Sequence, residues 1–183
     1  TPVGTFGGSL KAVSVRDLGT CVMKEVLKRA GLRPGVTDEQ AAYGPESLKD
    51  QGRIDIEKKG YDYDEALKEL FVDEVIMGNV LQAGQGQNTA RQAMINAGLP
   101  RFTPAMTINK ICGSGLKAIA LGAQAIMAGS ADVVLAGGQE SMSNAPMALL
   151  KARWGHRMEL TGQGPVHDLM VFDGLYEIFY GYH

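Results

Sequence analysis

Between residues 72 and 138 the sequence alternates strand-like and helix-like segments, and nothing else in it limits the fold as tightly. Residues 72–78 are rich in β-branched and apolar side chains and end in a glycine. Residues 89–97 have helical spacing and stop at Gly98 and Pro100. Residues 105–109 are again strand-like. Leu116, Ile119, Ala120, Ala123, Ile126 and Met127 then recur on one face of a helix closed by Gly129. Residues 131–136 predict a buried strand ending at Gly137-Gly138. This order predicts an α/β fold, a mixed but mostly parallel sheet with helices on both faces. At 183 residues and 45% hydrophobic, the chain can bury such a core.

Outside this stretch the pattern is looser. Residues 1–13 contain Gly4, Gly7 and Gly8 and predict a loop. Ser14, with Asp17 three residues on, predicts a helix N-cap. Val15, Leu18, Val22, Val26 and Ala30 follow at helical spacing, and Gly31 stops that helix. Residues 33–70 are dense in charge and broken by Pro34-Gly35, Gly44-Pro45 and Gly52. They predict a surface excursion with one or two short helices, among them a run over 66–70. It is either a solvated insertion or a partner-binding arm. Residues 1–150 read as one domain carrying this insertion. After residue 150 the alternation weakens, and residues 173–182 begin a helix-like pattern.

Bulk properties exclude several classes. The net charge is -2 and no Lys/Arg run occurs, so no nucleic-acid partner is expected. No apolar stretch is long enough to span a bilayer. The start at Thr1 reads as a truncation that would hide any targeting segment. Two lone cysteines, Cys21 and Cys112, show no metal-ligand spacing and suit a reducing, cytoplasmic setting.

Cys112 falls where a strand hands over to a helix, followed by Gly113, Ser114 and Gly115. Free N–H groups of a first helical turn would point at the thiol, favour its thiolate and hold an acyl oxyanion. Gly113 and Gly115 would permit the tight turn and clear space for a substrate carbonyl. The local pattern alone fits a small buried hydrophobe equally well. Cys21, inside a helix, is expected to pack in or near the core. The Gly84–Asn88 loop before a helix is either a phosphate cradle or an ordinary connection. His156 and His183 have no partner evident in the sequence. Lys151, Arg153 and Arg157 near Trp154 form either a basic cluster for a phosphorylated ligand or a solvated face.

Five stretches carry a further signal: TPVGTFGGSL at 1–10, VDEVIMGNVLQAGQGQNTARQA at 72–93, PAMTINKICGSGLKAI at 104–119, ADVVLAGGQESMSNAP at 131–146 and DGLYEIFYGYH at 173–183. In this order they resemble the N-terminal half of the thiolase family, most closely its biosynthetic acetyl-CoA acetyltransferases. The resemblance implies a layered thiolase fold, here without its first strand and its C-terminal half. It implies that Cys112 takes an acyl group from one acyl-CoA. The carbanion of a second acetyl-CoA then accepts that group, giving acetoacetyl-CoA, with thiolysis as the reverse. It also implies an oxyanion contact from the Cys112 N–H, and coenzyme A thioesters as substrates with no bound cofactor and no metal. Residues 151–183 would begin the part that covers CoA, with Arg153, Met158 and His183 near that pocket. The full-length protein would be a homodimer or homotetramer.

The sequence departs from the family in two further respects. It contains none of the family's GHP, CGGG or NEAF motifs, which supply a catalytic His, a second Cys and an Asn. Residues 33–70 also exceed the family's short link. Three other readings compete: a longer-chain 3-ketoacyl-CoA thiolase, a non-catalytic thiolase-like assembly subunit, and a ketosynthase-like condensing enzyme.

Overall fold

A computed structural model describes residues 3–42, 46–48, 52–155 and 165–183. Helix α1 spans Val15–Arg29, and the Ser14 hydroxyl accepts the Asp17 N–H as the sequence predicts. Gly31, at φ 73°, ends it. Its buried stripe is Val15, Gly19, Met23 and Leu27, a register apart from most of the predicted one. Val26 is exposed, and Leu18 and Val22 face a cleft described below. Cys21 is exposed rather than packed in the core, because it falls outside that buried stripe.

Strand β1 (Leu32–Pro34), helix α2 (Asp38–Ala42), helix α3 (Asp55–Gly60) and strand β2 (Lys68–Leu70) make up the excursion. β1 and β2 pair in parallel, so the predicted helical run over 66–70 is in fact mostly strand. Local propensity yields there to pairing with a distant segment. The excursion is also not simply solvated, since Glu57, Gly60 and Tyr63 are buried.

The central sheet is made of β3 (Glu74–Gly78), β4 (Ala105–Ile108) and β5 (Val134–Gly138), in the order β4-β3-β5 and parallel throughout. Helix α4 (Thr89–Asn96) and helix α5 (Ser114–Met127) are its crossovers. Val75 and Met77 of β3 point to one face, where they pack with Met23 and Leu27 of α1 and Ala90, Ala93 and Met94 of α4. The opposite face meets α5, where Gly122 lies against Val134 and Ala136. Helices therefore cover both faces. β5 starts later than predicted and is half-buried, pairing among the described residues with β3 alone.

α5 turns its small residues inward. Ser114, Ala118 and Gly122 are buried, whereas the apolar stripe read from the sequence points outward, with Leu116 78% and Met127 86% exposed. Small inner residues let the helix lie close on the sheet. Beyond β5, strands β6 (Met147–Ala148) and β7 (His167–Asp168) pair antiparallel, and helix α6 spans Leu169–Gly174. The helix-like pattern predicted to begin at 173 does not form. The chain leaves α6 there and turns back through a Glu177–Tyr182 bridge. Among the described residues no helix is long and apolar enough to cross a membrane.

Candidate active site

The C-terminal ends of β3 and β5, the turn after β4 and the start of α5 border a cleft of about 800 Å³. Phe6, Leu10, Cys112, Gly138, Met142 and Met170 are among the residues that line it. Cys112 is exposed there as a free thiol, so the small-buried-hydrophobe reading does not describe its setting. Clefts at the carboxyl ends of parallel strands are where open α/β sheets bind ligands.

Cys112 owes its placement to a strained elbow. Ile111 just before it has φ 50°, a left-handed conformation that β-branched residues rarely adopt. The turn's strain thus falls on Ile111, not on the glycines expected to relieve it; Gly113 has φ -86°. Two side chains hold the elbow. The Asn109 side-chain oxygen accepts the Ile111 N–H at 2.9 Å. The buried Ser114 hydroxyl accepts the Lys110 N–H at 2.8 Å and donates to the Ile111 carbonyl at 2.6 Å. Such strain costs on the order of 1–3 kcal/mol and persists only where surroundings impose it.

The N–H groups of Gly113 and Ser114 donate to the Lys110 and Ile111 carbonyls. These two are engaged inside the turn, so of the first-turn N–H groups the sequence reading expected to face the thiol, that of Ser114 is already taken. Nor do Gly113 and Gly115 make the tightest approaches. A Cβ on Gly113 would meet its nearest neighbour at 3.4 Å, and one on Gly115 at 3.7 Å. The crowding is at Gly78, where a Cβ would come within 2.6 Å of the Gly115 nitrogen, and at Gly138, where it would come within 3.2 Å of the Gly115 Cα. These two strand-end glycines let the α5 N-terminus sit directly on the sheet. In the sequence they look like mere strand terminators.

A polar network in the wall of the cleft also escaped the sequence reading. The Glu140 carboxylate accepts from Asn79 Nδ2 at 2.7 Å and from the Val80 and Leu81 N–H groups at 2.8 and 3.1 Å. Asn79 Oδ1 in turn accepts from the Thr89 hydroxyl. This ties the ends of β3 and β5 to the start of α4. Ser143 and Asn144 extend it to the N-terminal loop, through Gly7 N–H and the Val13 carbonyl. The one available signal was an acid placed just after a strand-ending Gly-Gly.

The remaining site expectations divide. The Gly84–Asn88 loop is held by its own side chains. Asn88 caps α4 by accepting the Arg91 N–H, and Gln92 donates to the Gln85 and Gln87 carbonyls. Arg153 is exposed, and His183 stacks edge-on against Tyr176 at 5.7 Å. Neither lines the cleft beside Cys112. Met158, with His156 and Arg157, lies outside the described residues.

Residues 62–183 match the family model described as "Thiolase, N-terminal domain". The chain belongs to the thiolase family. It is 48% identical over its full length to an acetyl-CoA acetyltransferase of Syntrophomonas wolfei, and 47% to an acetyl-CoA acetyltransferase of Cupriavidus necator. It is 42% identical over its full length to a probable acetyl-CoA acyltransferase of Staphylococcus aureus. In each case the chain spans 37% of the relative's own length. The thiolase match starts at residue 62, so most of the excursion lies outside it.

Proposed function

We propose that Cys112 is the acyl-accepting nucleophile of an acetyl-CoA C-acetyltransferase, and that this chain supplies the nucleophile-bearing part of its site. The observation that carries this reading is the exposed Cys112 thiol on a strained strand–helix elbow inside the cleft. Thiols presented this way suit covalent acyl transfer. In the first half-reaction the thiolate attacks the thioester carbonyl of acetyl-CoA. The tetrahedral oxyanion collapses to acetyl-Cys112 and expels CoA thiolate, which takes a proton. In the second, acetyl-CoA loses a methyl proton to a base. Its carbanion attacks acetyl-Cys112, forms the new C–C bond and releases the Cys112 thiolate with acetoacetyl-CoA.

By the family resemblance, the Cys112 N–H contacts the oxyanion, and residues 151–183 begin the part that covers CoA. Arg153, Met158 and His183 keep their assignment to that pocket on the same ground. The base and acid of both steps are the family's GHP histidine and CGGG cysteine, which these 183 residues do not contain. The outward apolar stripe of α5 gives the remaining length of such a protein a face to pack on. A homo-oligomer, substrates limited to CoA thioesters and a cytoplasmic location complete the reading. The two unpaired cysteines support that location.

The test is steady-state thiolysis by the full-length protein. Acetoacetyl-CoA should be cleaved with a higher kcat/KM than a medium-chain 3-ketoacyl-CoA, and Cys112→Ala should abolish both. A preference for the longer substrate would make it a longer-chain thiolase. Full activity in Cys112→Ala would overturn the nucleophile assignment.

A further inference from the structure

The excursion at 33–70 grips one end of α4, and the other end of α4 holds the strand that delivers Cys112. At the far end the contacts are dense. Glu57 is 1% exposed, and its carboxylate accepts from the Arg101 backbone N–H, the Arg101 guanidinium at 3.1 Å and the Ile54 N–H at 2.8 Å. The Tyr63 hydroxyl donates to the Ala97 carbonyl at 2.9 Å. Arg53 donates to the Gly98 and Pro34 carbonyls while lying 3.6 Å from the Tyr61 ring centre. Gly60 and Gly98 allow the backbones to touch, since a Cβ on Gly60 would overlap the Asn96 carbonyl. The last turn of α4 is closed by the N–H groups of Ala97, Gly98 and Leu99, and the excursion supplies donors to the next carbonyls, those of Ala97 and Gly98.

α4 itself is a short, stiff connector of eight residues, about 12 Å long. Ala90, Ala93, Met94 and Ala97 are completely buried along it. At its near end the Ala90 N–H donates to the Thr107 hydroxyl at 3.0 Å, and that hydroxyl donates to Asn88 Oδ1 at 2.9 Å. Asn88 Nδ2 donates to the Ala105 carbonyl, and Thr89 donates to Asn79 in the network of the cleft wall. Thr107 lies on β4, which runs directly into the Cys112 elbow.

We infer that the excursion is a brace that positions Cys112 through α4, with Glu57 and Tyr63 as positioning residues. The inference rests on the reading of Cys112 as the reactive group. Shared packing and hydrogen bonds link the two ends without a gap, as energetic coupling through a structure requires. A merely stabilising insertion would resist unfolding but leave the native thiol unchanged. A brace changes how the native thiol is presented.

The test compares Glu57→Gln and Tyr63→Phe with the exposed control Lys58→Ala, all in the full-length protein. The readouts are the thermal midpoint and the rate of Cys112 alkylation by iodoacetamide, taken well below every variant's unfolding transition. Tyr63→Phe keeps the ring and removes one hydroxyl, so it provides a folded variant even if Glu57→Gln does not fold. The brace predicts that alkylation slows by about threefold or more in the folded brace variants and is unchanged in Lys58→Ala. A rate equal to or above wild type in Tyr63→Phe overturns the inference, whatever the thermal midpoint does. Because iodoacetamide needs no acyl transfer, this result is separate from the thiolysis test. An alkylated but catalytically silent wild-type protein would count against the proposed function alone.

Discussion

A side-chain carbon placed on Gly78 would stand 2.6 Å from the Cβ of Ser114. The central strand and the helix that follows Cys112 therefore meet with no room for a methyl group. Gly78→Ala is expected to cost about 1–3 kcal/mol in urea unfolding and to slow alkylation of Cys112, because the group it strikes is helix backbone. Gly113→Ala, with its nearest neighbour at 3.4 Å, is expected to leave stability within about 0.5 kcal/mol of wild type. Equal losses at the two positions would contradict this assignment of the crowding.

The elbow predicts unequal outcomes for two substitutions. Ile111→Gly removes the penalty of a β-branched residue at positive φ, so stability should stay within about 1 kcal/mol of wild type despite the lost side chain. Ser114→Ala strips the Lys110 N–H of its acceptor and should cost about 1–3 kcal/mol. Chemical denaturation of both variants checks this. A larger loss in Ile111→Gly than in Ser114→Ala would contradict it.

Much of the fold was legible because it rests on local rules. The Ser14 cap, the stop at Gly31 and the β3-α4-β4-α5-β5 order all follow from short-range pattern. The misreadings arose where a partner lies far along the chain. Glu57, Arg53 and Tyr63 look like surface residues until the 97–103 connection closes over them. The apolar stripe of α5 was correctly found but faces outward, since periodicity locates a face without saying what covers it. At the cleft, the strand–helix turn that carries Cys112 was legible from local pattern, which did not by itself decide the role of the thiol. Gly78, Gly138 and Glu140 were not legible, because their roles depend on which strand ends lie side by side.

Tyr63 sets an alkaline limit. Burial, and then the neighbouring Tyr61, hold its phenol well above the ordinary tyrosine value. The unfolded chain ionises this group near pH 10, whereas the folded chain keeps it neutral. Its contribution is therefore complete below about pH 10 and declines as the pH rises further. Thermal midpoints from about pH 8 to about pH 11 should fall less steeply in Tyr63→Phe than in wild type. Parallel slopes would contradict this.

The outward stripe of α5 makes a prediction for a polypeptide of these 183 residues alone. Leu116, Ile119, Ile126 and Met127 are exposed together, and such patches drive association. Light scattering after size exclusion should show self-association that Met127→Lys reduces. The same polypeptide should show no acetoacetyl-CoA thiolysis. A monodisperse wild-type monomer, or measurable thiolysis, would contradict the corresponding part.

The acyl-enzyme is tested by mixing the full-length protein with acetyl-CoA, quenching in acid and mapping the acetyl group by peptide mass spectrometry. An acetyl thioester on Cys112 is expected, and it should disappear when free CoA is added before the quench. An acetyl group on another residue, or an unmodified Cys112 in protein that still turns over acetoacetyl-CoA, would contradict it.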